Sequence, residues 1–221
     1  MIRSFACLSA LIVTAILFGC SPAATRHFSA LSSDDVKQRR EAAFQLSTLE
    51  PLEKEHLQIL VDATYDKDPI VREYAFKTIG KMNPRWDGVT SAIKRGLQDP
   101  NISVRRTSAA IFSIMTPVPS EVLYTLALNL TDKDSLMRDF AQTTFIDLGQ
   151  IGVNALMRTC KNGNDTLRCC AVNTLGTIGS PAKRALPTLK QLLNDKNSEV
   201  RSAAKKSISR IEVSYNPGIQ K

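Results

Sequence analysis

The sequence predicts an all-α fold, an α-solenoid of five helical hairpins and a final single helix over residues 33–212. Three observations predict it: an arginine recurs at a nearly constant interval, a stripe of apolar residues follows each arginine, and a helix-capping residue precedes it. The recurring arginines are Arg39, Arg72, Arg105, Arg138, Arg168 and Arg201, at spacings of 33, 33, 33, 30 and 33 residues. Self-similarity at such a period indicates stacked structural repeats.

The first helix of each repeat is predicted by the residues around its arginine. A small residue follows three positions later and large apolar residues follow at seven and ten, offsets that lie along one side of an α-helix. Arg72, for example, is followed by Ala75, Ile79 and Met82. Four positions before the arginines stand Asp35, Asp68, Asn101, Asp134, Asn164 and Asn197, residue types that cap helix N-termini. In the first five repeats, proline or glycine then ends the helix.

A second amphipathic helix is predicted after each of these breaks, with apolar residues such as Leu123 and Leu126 at helical spacing. One hairpin cannot bury its apolar face alone, so neighbouring hairpins stack and bury it together. The last repeat lacks a second helix. We therefore expect Ala203, Ile208 and Ile211 to be covered on one side only, with the other side open to a partner or a second copy of the chain.

The repeat consensus resembles that of a known family. The pattern Asp-x-Asp/Asn-Pro-x-Val-Arg-x-x-Ala, seen at residues 66–75, resembles the HEAT repeat of armadillo-like helical proteins, especially the short HEAT-like repeats of phycobilin lyase subunits. The resemblance implies that an aspartate six positions before each arginine pairs with arginines along the stack. The ladder residues that it assigns are Asp66, Arg72, Asp99, Arg105, Asp132, Arg138, Asp195 and Arg201. Ser33 and Asn162 replace the aspartate in two repeats, where we expect a weaker ladder.

Residues 1–19 have the features of a signal peptide, with a basic start at Arg3 and an apolar run at 5–18 that is too short to span a bilayer. Residues 17–20, with the sequence LFGC, resemble the lipobox of bacterial lipoproteins. That resemblance implies cleavage before Cys20 and acyl chains on Cys20, which would anchor the protein to a lipid bilayer. An ordinary secretory signal whose cleavage site contains a cysteine is the alternative.

The small and polar residues 20–32 predict a flexible tether between this anchor and the repeats, and residues 213–221 are predicted to form a C-terminal tail. The lipoprotein resemblance implies a place in the bacterial cell envelope. With Ser21 after the cysteine, it implies the periplasmic face of the outer membrane in a diderm bacterium. In a monoderm it implies the outer face of the plasma membrane.

The sequence predicts no catalytic residue, metal site or cofactor. Its histidines, His27 and His56, do not form a pair at the helical spacing that holds a metal. Glu55 precedes His56, which reverses the His-Glu pairs that hold iron in deoxyhypusine hydroxylase, a HEAT-like enzyme. Gly176 and Gly179 fall at a predicted helix end, where glycine has a structural reason, and not in a phosphate-binding loop.

Three cysteines lie in the predicted repeats, Cys160, Cys169 and Cys170. Cys170 matches core positions of other repeats, whereas Cys169 matches charged residues and is expected to be exposed. An exposed thiol is unusual in an oxidising compartment unless it is paired, and Cys160 is the plausible partner. One interpretation is therefore a disulfide between Cys160 and Cys169, and the other is that the thiols stay free.

A partner-binding surface is predicted on the second helices, which line the concave face in HEAT proteins. Their charge changes from acidic in the first repeat, at Glu53, Glu55 and Asp62, to basic later in the chain. The basic residues of this predicted groove are Lys94, Arg95, Arg158, Lys161, Lys183, Arg184 and Lys190. They suit an acidic protein segment, a lipid head group or an anionic glycan, and an ordinary solvated face is the alternative. Nucleic acid is not expected, because no aromatic residues accompany these cations.

The sequence as a whole therefore predicts a non-catalytic scaffold, anchored to a membrane and binding a protein partner in the bacterial cell envelope. The alternative is an enzyme-associated subunit similar to the phycobilin lyase subunits. Those subunits act on chromophores in the cytoplasm, so the export signal argues against that role. A chromophore bound to the purified protein would favour it.

Overall fold

The computed structural model describes residues 22–49, 52–86, 88–115 and 118–215. These residues form helices joined by turns, without a strand in any of the four ranges, which confirms the predicted all-α fold. The signal peptide and Cys20 lie outside the described residues. The chain divides into two compact units, Met1–Ile111 and Phe112–Lys221, which we describe separately.

The first unit consists of paired helices with 3₁₀ or turn connections. Its helices are α1 (Pro22–Ala30), α2 (Val36–Thr48), α3 (Leu57–Ala63), α4 (Pro69–Ile79) and α5 (Val89–Gly96), with a 3₁₀ helix at Lys54–His56. Helix α2 packs on α4, and α3 packs on both α4 and α5. Leu46, Leu60, Phe76 and Ile93 are fully buried at these contacts. Helix α6 (Ile102–Ile114) includes the boundary between the two units.

The predicted caps form at the start of the first helix of each repeat. The Asp68 carboxylate accepts the backbone N–H groups of Ile70 and Val71 at 3.0 and 3.3 Å, and Pro69 occupies the first helical position. Equivalent side-chain caps are made by Asp35, Asn101, Asp134, Asn164 and Asn197. Each cap satisfies N–H groups that have no partner within the helix.

Helix α1 differs from the flexible tether predicted for residues 20–32. Ala24, Phe28 and Leu31 recur at offsets of four and seven, and all three side chains are buried. The Phe28 ring stacks on His56, with 4.5 Å between the ring centroids and 8° between the planes. Helix α1 packs on α2 and covers the apolar face that the first repeat would otherwise expose, as a terminal capping element does in repeat proteins.

The second unit repeats the same arrangement of paired helices. Its helices are α7 (Ser120–Leu128), α8 (Ser135–Asp147), α9 (Gln150–Asn162), α10 (Asp165–Ile178), α11 (Leu186–Gln191) and α12 (Ser198–Tyr215), with 3₁₀ helices at Asn129–Thr131, Ser180–Ala185 and Leu192–Asn194. Helix α12 packs along α10. A Cβ atom at Gly176 would lie 2.5 Å from the Ser207 hydroxyl, so glycine permits this close approach.

The last helix corrects our expectation of a half-covered apolar end. Ala203 and Ile211 are buried, and Ile208 is half-buried. The opposite side of α12 presents polar exposed residues, among them Lys205, Lys206 and Arg210. A polar outer face is what a terminal repeat needs for solubility. Helix α12 also continues to Tyr215, into the residues predicted as a tail.

Candidate partner-binding surface

Paired aspartate and arginine residues join neighbouring repeats in the first unit. The Arg39 guanidinium donates to Asp66 through Nε at 2.7 Å and through Nη2 at 3.2 Å. Arg72 donates to Asp99 in the same two-pronged way, with both distances at 2.8 Å. In each pair the partners are 27 residues apart, so every bond links the first helix of one repeat to the start of the next. Two parallel bonds between a guanidinium and a carboxylate are strong and directional.

The remaining guanidinium nitrogen of these arginines, Nη1, donates to backbone carbonyls in the loop that precedes the helix. Nη1 of Arg72 donates to the carbonyl oxygens of Asp66 and Lys67 at 2.9 and 3.2 Å. The same pair of bonds, to carbonyls six and five residues earlier, is made by Arg39, Arg105, Arg138 and Arg201. Asp66 in turn accepts the N–H of Asp68 at 2.8 Å. In the repeats of Arg39 and Arg72, one side chain therefore both fixes its own loop and binds the next repeat.

In the second unit the ladder is interrupted at the shortened connection. Arg168 donates to Asp195 at 3.0 and 2.8 Å and contacts Asp165 at 3.0 Å. Arg138 is exposed, and within the described part of the second unit it bonds only to carbonyls of its own repeat. Asn162, at the position of the missing aspartate, is exposed.

These pairs change the acid–base properties of their members. The hydrogen bonds from Arg168 hold the pKa of Asp195 below its usual value, and those from Arg40 do the same to Asp68. Conversely, hydrogen bonding to Asp99 raises the pKa of Arg72. A carboxylate that accepts several charge-assisted bonds favours its ionised form. The pairs therefore stay charged at neutral pH.

The residues of the predicted basic groove that belong to the second unit lie in the second-helix segments of their repeats and are exposed. They are Arg158 and Lys161 on α9, Lys183 and Arg184 in the 3₁₀ helix Ser180–Ala185, and Lys190 on α11. No aspartate or glutamate occurs in these three elements. The unit therefore presents a positively charged surface, which we call the basic surface and define by these five residues.

In the first unit, Lys94 is exposed but Arg95 is engaged by neighbouring side chains. The Arg95 guanidinium lies 3.8 Å from the centre of the Tyr65 ring and donates to the Tyr65 hydroxyl at 2.8 Å. It also donates to the Thr64 hydroxyl. Burial lowers the pKa of Arg95. Tyr65, which is 65% exposed, was not predictable as a contact residue, because its contact is with Arg95, 30 residues further along the chain.

The cysteines are free thiols in the structure, so the proposed disulfide between Cys160 and Cys169 is not present. Cys160 is buried near the end of α9, and burial raises its pKa to about 12. Cys169 is half-exposed on α10, where its sulfur lies 3.7 Å from the amide nitrogen of Asn173. Cys170, expected in the core, is also half-exposed.

Within the described ranges, no three or more His, Cys, Asp or Glu side chains lie together in a way that could hold a metal ion. Among the helices within those ranges, none combines the length and apolar character needed to cross a bilayer.

Residues 130–209, which lie in the second unit, match the family model for HEAT repeats. Among solved structures, an engineered protein from the Northeast Structural Genomics Consortium is 17% identical with a TM-score of 0.47, covering 88% of this chain and 98% of that chain. A designed armadillo repeat protein in complex with the peptide (KR)4 is 17% identical with a TM-score of 0.48, covering 86% and 100%. Comparison with curated protein sequences gives no match. The helices described above form helical repeats, and residues 130–209 of the second unit match the HEAT repeat model.

Proposed function

We propose that this protein is a non-catalytic HEAT-type scaffold that is anchored to a membrane by acyl chains on Cys20 and binds a protein partner in the bacterial cell envelope. The observation that carries the proposal is the basic surface of the second unit. Five cations are exposed on consecutive second helices, and these elements contain no aspartate or glutamate. Charge complementarity of this kind selects an acidic partner and speeds its association.

The repeated polar residues support a scaffold and not an active site. The same arginine, cap and aspartate occur in successive repeats, and the structure uses them to fix loops and to join repeats. Catalysis requires a set of groups placed once, around one reacting atom. The anchor is supported by the sequence of residues 17–20, and two or three acyl chains contribute about 0.8 kcal/mol per buried methylene.

The proposal is tested by crosslinking in intact cells, followed by capture of the protein and mass spectrometry. We compare wild type with a variant that carries Lys183→Glu, Arg184→Glu and Lys190→Glu. The matched control carries Lys205→Glu, Lys206→Glu and Arg210→Glu on the outer face of α12, and it changes the net charge by the same amount. We expect one envelope protein to be captured by wild type and control and to be lost from the first variant. Capture of the same proteins by all three would exclude the basic surface as the binding site.

A further inference from the structure

The second unit contains a cleft beside its shortened connection. Helix α9 ends at Asn162 and α10 begins at Asp165, so two residues join them. The cleft has a volume of about 340 Å³, which is enough for one or two side chains of a partner. Its polar lining includes Lys161, Thr188, Gln191 and Lys196, and its apolar lining includes Cys160 and Leu192.

The charge of the cleft is positive. Lys161 and Lys196 are both exposed. The carboxylate that lines the cleft, Asp195, is already engaged by both prongs of Arg168 and by the N–H of Asn197 at 2.9 Å. Lys196 lies 3.6 Å from an oxygen of Asp165, a distance at which an exposed ion pair contributes little. An anion that enters the cleft therefore meets two ammonium groups.

Thr188 supplies an independent reason to expect a ligand. Its side chain is 6% exposed and lines the cleft, yet among the described residues its hydroxyl has no hydrogen-bond partner. The buried Thr144, Thr159 and Thr174 of the same unit each donate to the carbonyl four residues earlier, at 2.8, 3.1 and 2.9 Å. The residue four before Thr188 is Arg184, which belongs to a 3₁₀ helix and not to an α-helix. A hydroxyl that lines the cleft and makes no hydrogen bond within the protein can donate to a ligand oxygen.

The apolar wall of the cleft does not oppose a negative charge. Because burial raises the pKa of Cys160 to about 12, its sulfur is a neutral thiol at physiological pH. Leu192 beside it offers a contact for the methylene groups of a side chain. The cleft thus pairs a cationic rim with an apolar wall, which matches the two ends of a glutamate side chain.

We propose that this cleft binds a carboxylate side chain of an acidic peptide segment, with Lys161 and Lys196 as its charge partners and the Thr188 hydroxyl as a donor. The inference rests on the proposed function, since it names the chemistry of the partner that the basic surface receives. Lys161 belongs to both the cleft and the basic surface.

The test is isothermal titration calorimetry of the full chain in detergent micelles at low salt. The probe is hexaglutamate with both ends blocked. Thr188→Val keeps the shape of the side chain and removes a hydroxyl that has no partner in the protein. We expect it to weaken binding about tenfold, the effect of losing one hydrogen bond to a charged group, and to leave the melting temperature unchanged. The matched control is Thr174→Val, which removes a hydroxyl bonded to Cys170 outside the cleft and should leave binding unchanged.

A second pair of variants tests the charges independently of Thr188. Lys161→Gln with Lys196→Gln should weaken binding tenfold or more and reduce its dependence on salt. Lys205→Gln with Lys206→Gln removes the same charge from the outer face of α12 and should have little effect. Unchanged affinity in both cleft variants, or no binding by wild type, would overturn the proposal. So would inorganic phosphate that binds as tightly as the peptide and displaces it, because the cleft would then be a simple anion site.

The two proposals fail separately. If crosslinking retrieves no envelope partner, the proposed function fails, whereas calorimetry still reports whether the cleft accepts a carboxylate. If calorimetry shows no role for Thr188 and the two lysines, the cleft is excluded, and partner capture through Lys183, Arg184 and Lys190 stands.

Discussion

At the scale of single residues, the recurring arginine performs two tasks at once. Its Nη1 closes the loop of its own repeat, and its Nε and Nη2 reach the aspartate of the next. The spacing of Arg72 and Asp99 in the sequence is compatible with such a pair. The bonds from Nη1 to backbone carbonyls were not predictable, because carbonyl directions depend on the loop conformation and leave no mark in residue types.

The two tasks can be separated by comparing Arg168 with Arg138. We expect Arg168→Ala to lower the free energy of unfolding by about 1–3 kcal/mol, since it removes the bond to the Gly163 carbonyl and leaves Asp195 without its arginine. Arg138→Ala removes bonds within its own repeat from an exposed side chain, so its loss is expected to be smaller. Urea unfolding followed by circular dichroism measures both values. Equal losses would mean that the link to Asp195 contributes nothing.

Because three aspartates have lowered pKa values, the free energy of unfolding depends on pH. The pKa values of Asp68, Asp165 and Asp195 lie below their usual value, mainly because Arg40, Asn197 and Arg168 respectively donate to them. As the pH falls, these carboxylates are protonated in the unfolded chain first, near pH 4, and in the folded chain only at lower pH. Their contribution is therefore complete above about pH 5 and is lost as the pH falls through the folded pKa values.

Urea unfolding at pH 7 and at pH 3 checks this dependence. We expect the wild type to lose more stability across this range than Asp195→Asn does, because the variant has one fewer group to protonate. The same change in stability for both proteins would show that the Arg168 pair does not couple folding to pH.

At the scale of the elements, the first helices were predicted well and the second helices less well. Each first helix was predicted by its capping residue, its arginine and its apolar stripe, as shown by Asp68, Arg72 and Ile79. The second helices carry the same apolar spacing, but Ser180–Ala185 and Leu192–Asn194 are 3₁₀ helices, and periodicity does not distinguish these from α-helix over so few residues. Since Arg184 belongs to a 3₁₀ helix, the Thr188 hydroxyl does not donate to the carbonyl four residues earlier, as other buried threonines do. The cleft was therefore not predictable either.

Helix α1 was missed because its sequence is short and consists largely of small residues. Its apolar residues share one face, and burial on α2 provides the stability that composition does not show. We expect Phe28→Ala to lower the free energy of unfolding by about 3 kcal/mol, since it removes a buried ring that stacks on His56. Arg26→Ala, at an exposed position of the same helix, should change stability by less than about 0.5 kcal/mol. Thermal unfolding distinguishes these, and a flexible tether would make both substitutions neutral.

At the scale of the whole molecule, the proposed acylation of Cys20 would place the repeats at a membrane surface. Growth with an alkyne analogue of palmitate should label the wild-type protein and leave Cys20→Ser unlabelled, because the acyl chains are expected on that one sulfur. Cys160→Ser and Cys169→Ser serve as controls and should keep the label. A labelled Cys20→Ser protein, or an unlabelled wild type, would favour an ordinary secretory signal.

The double role of the arginine also bears on how such a chain changes in length. Residues 67–99 contain Arg72 and end at Asp99, the aspartate that Arg72 binds. A second copy of this segment, placed directly after the first, would bring both halves of a new junction with it. The connection at Asn162 lacks this property, since its arginine and its aspartate are not both present. Duplication of one repeat can therefore lengthen the chain within the first unit. At the connection that borders the cleft, a duplicated segment would not bring a complete arginine–aspartate pair.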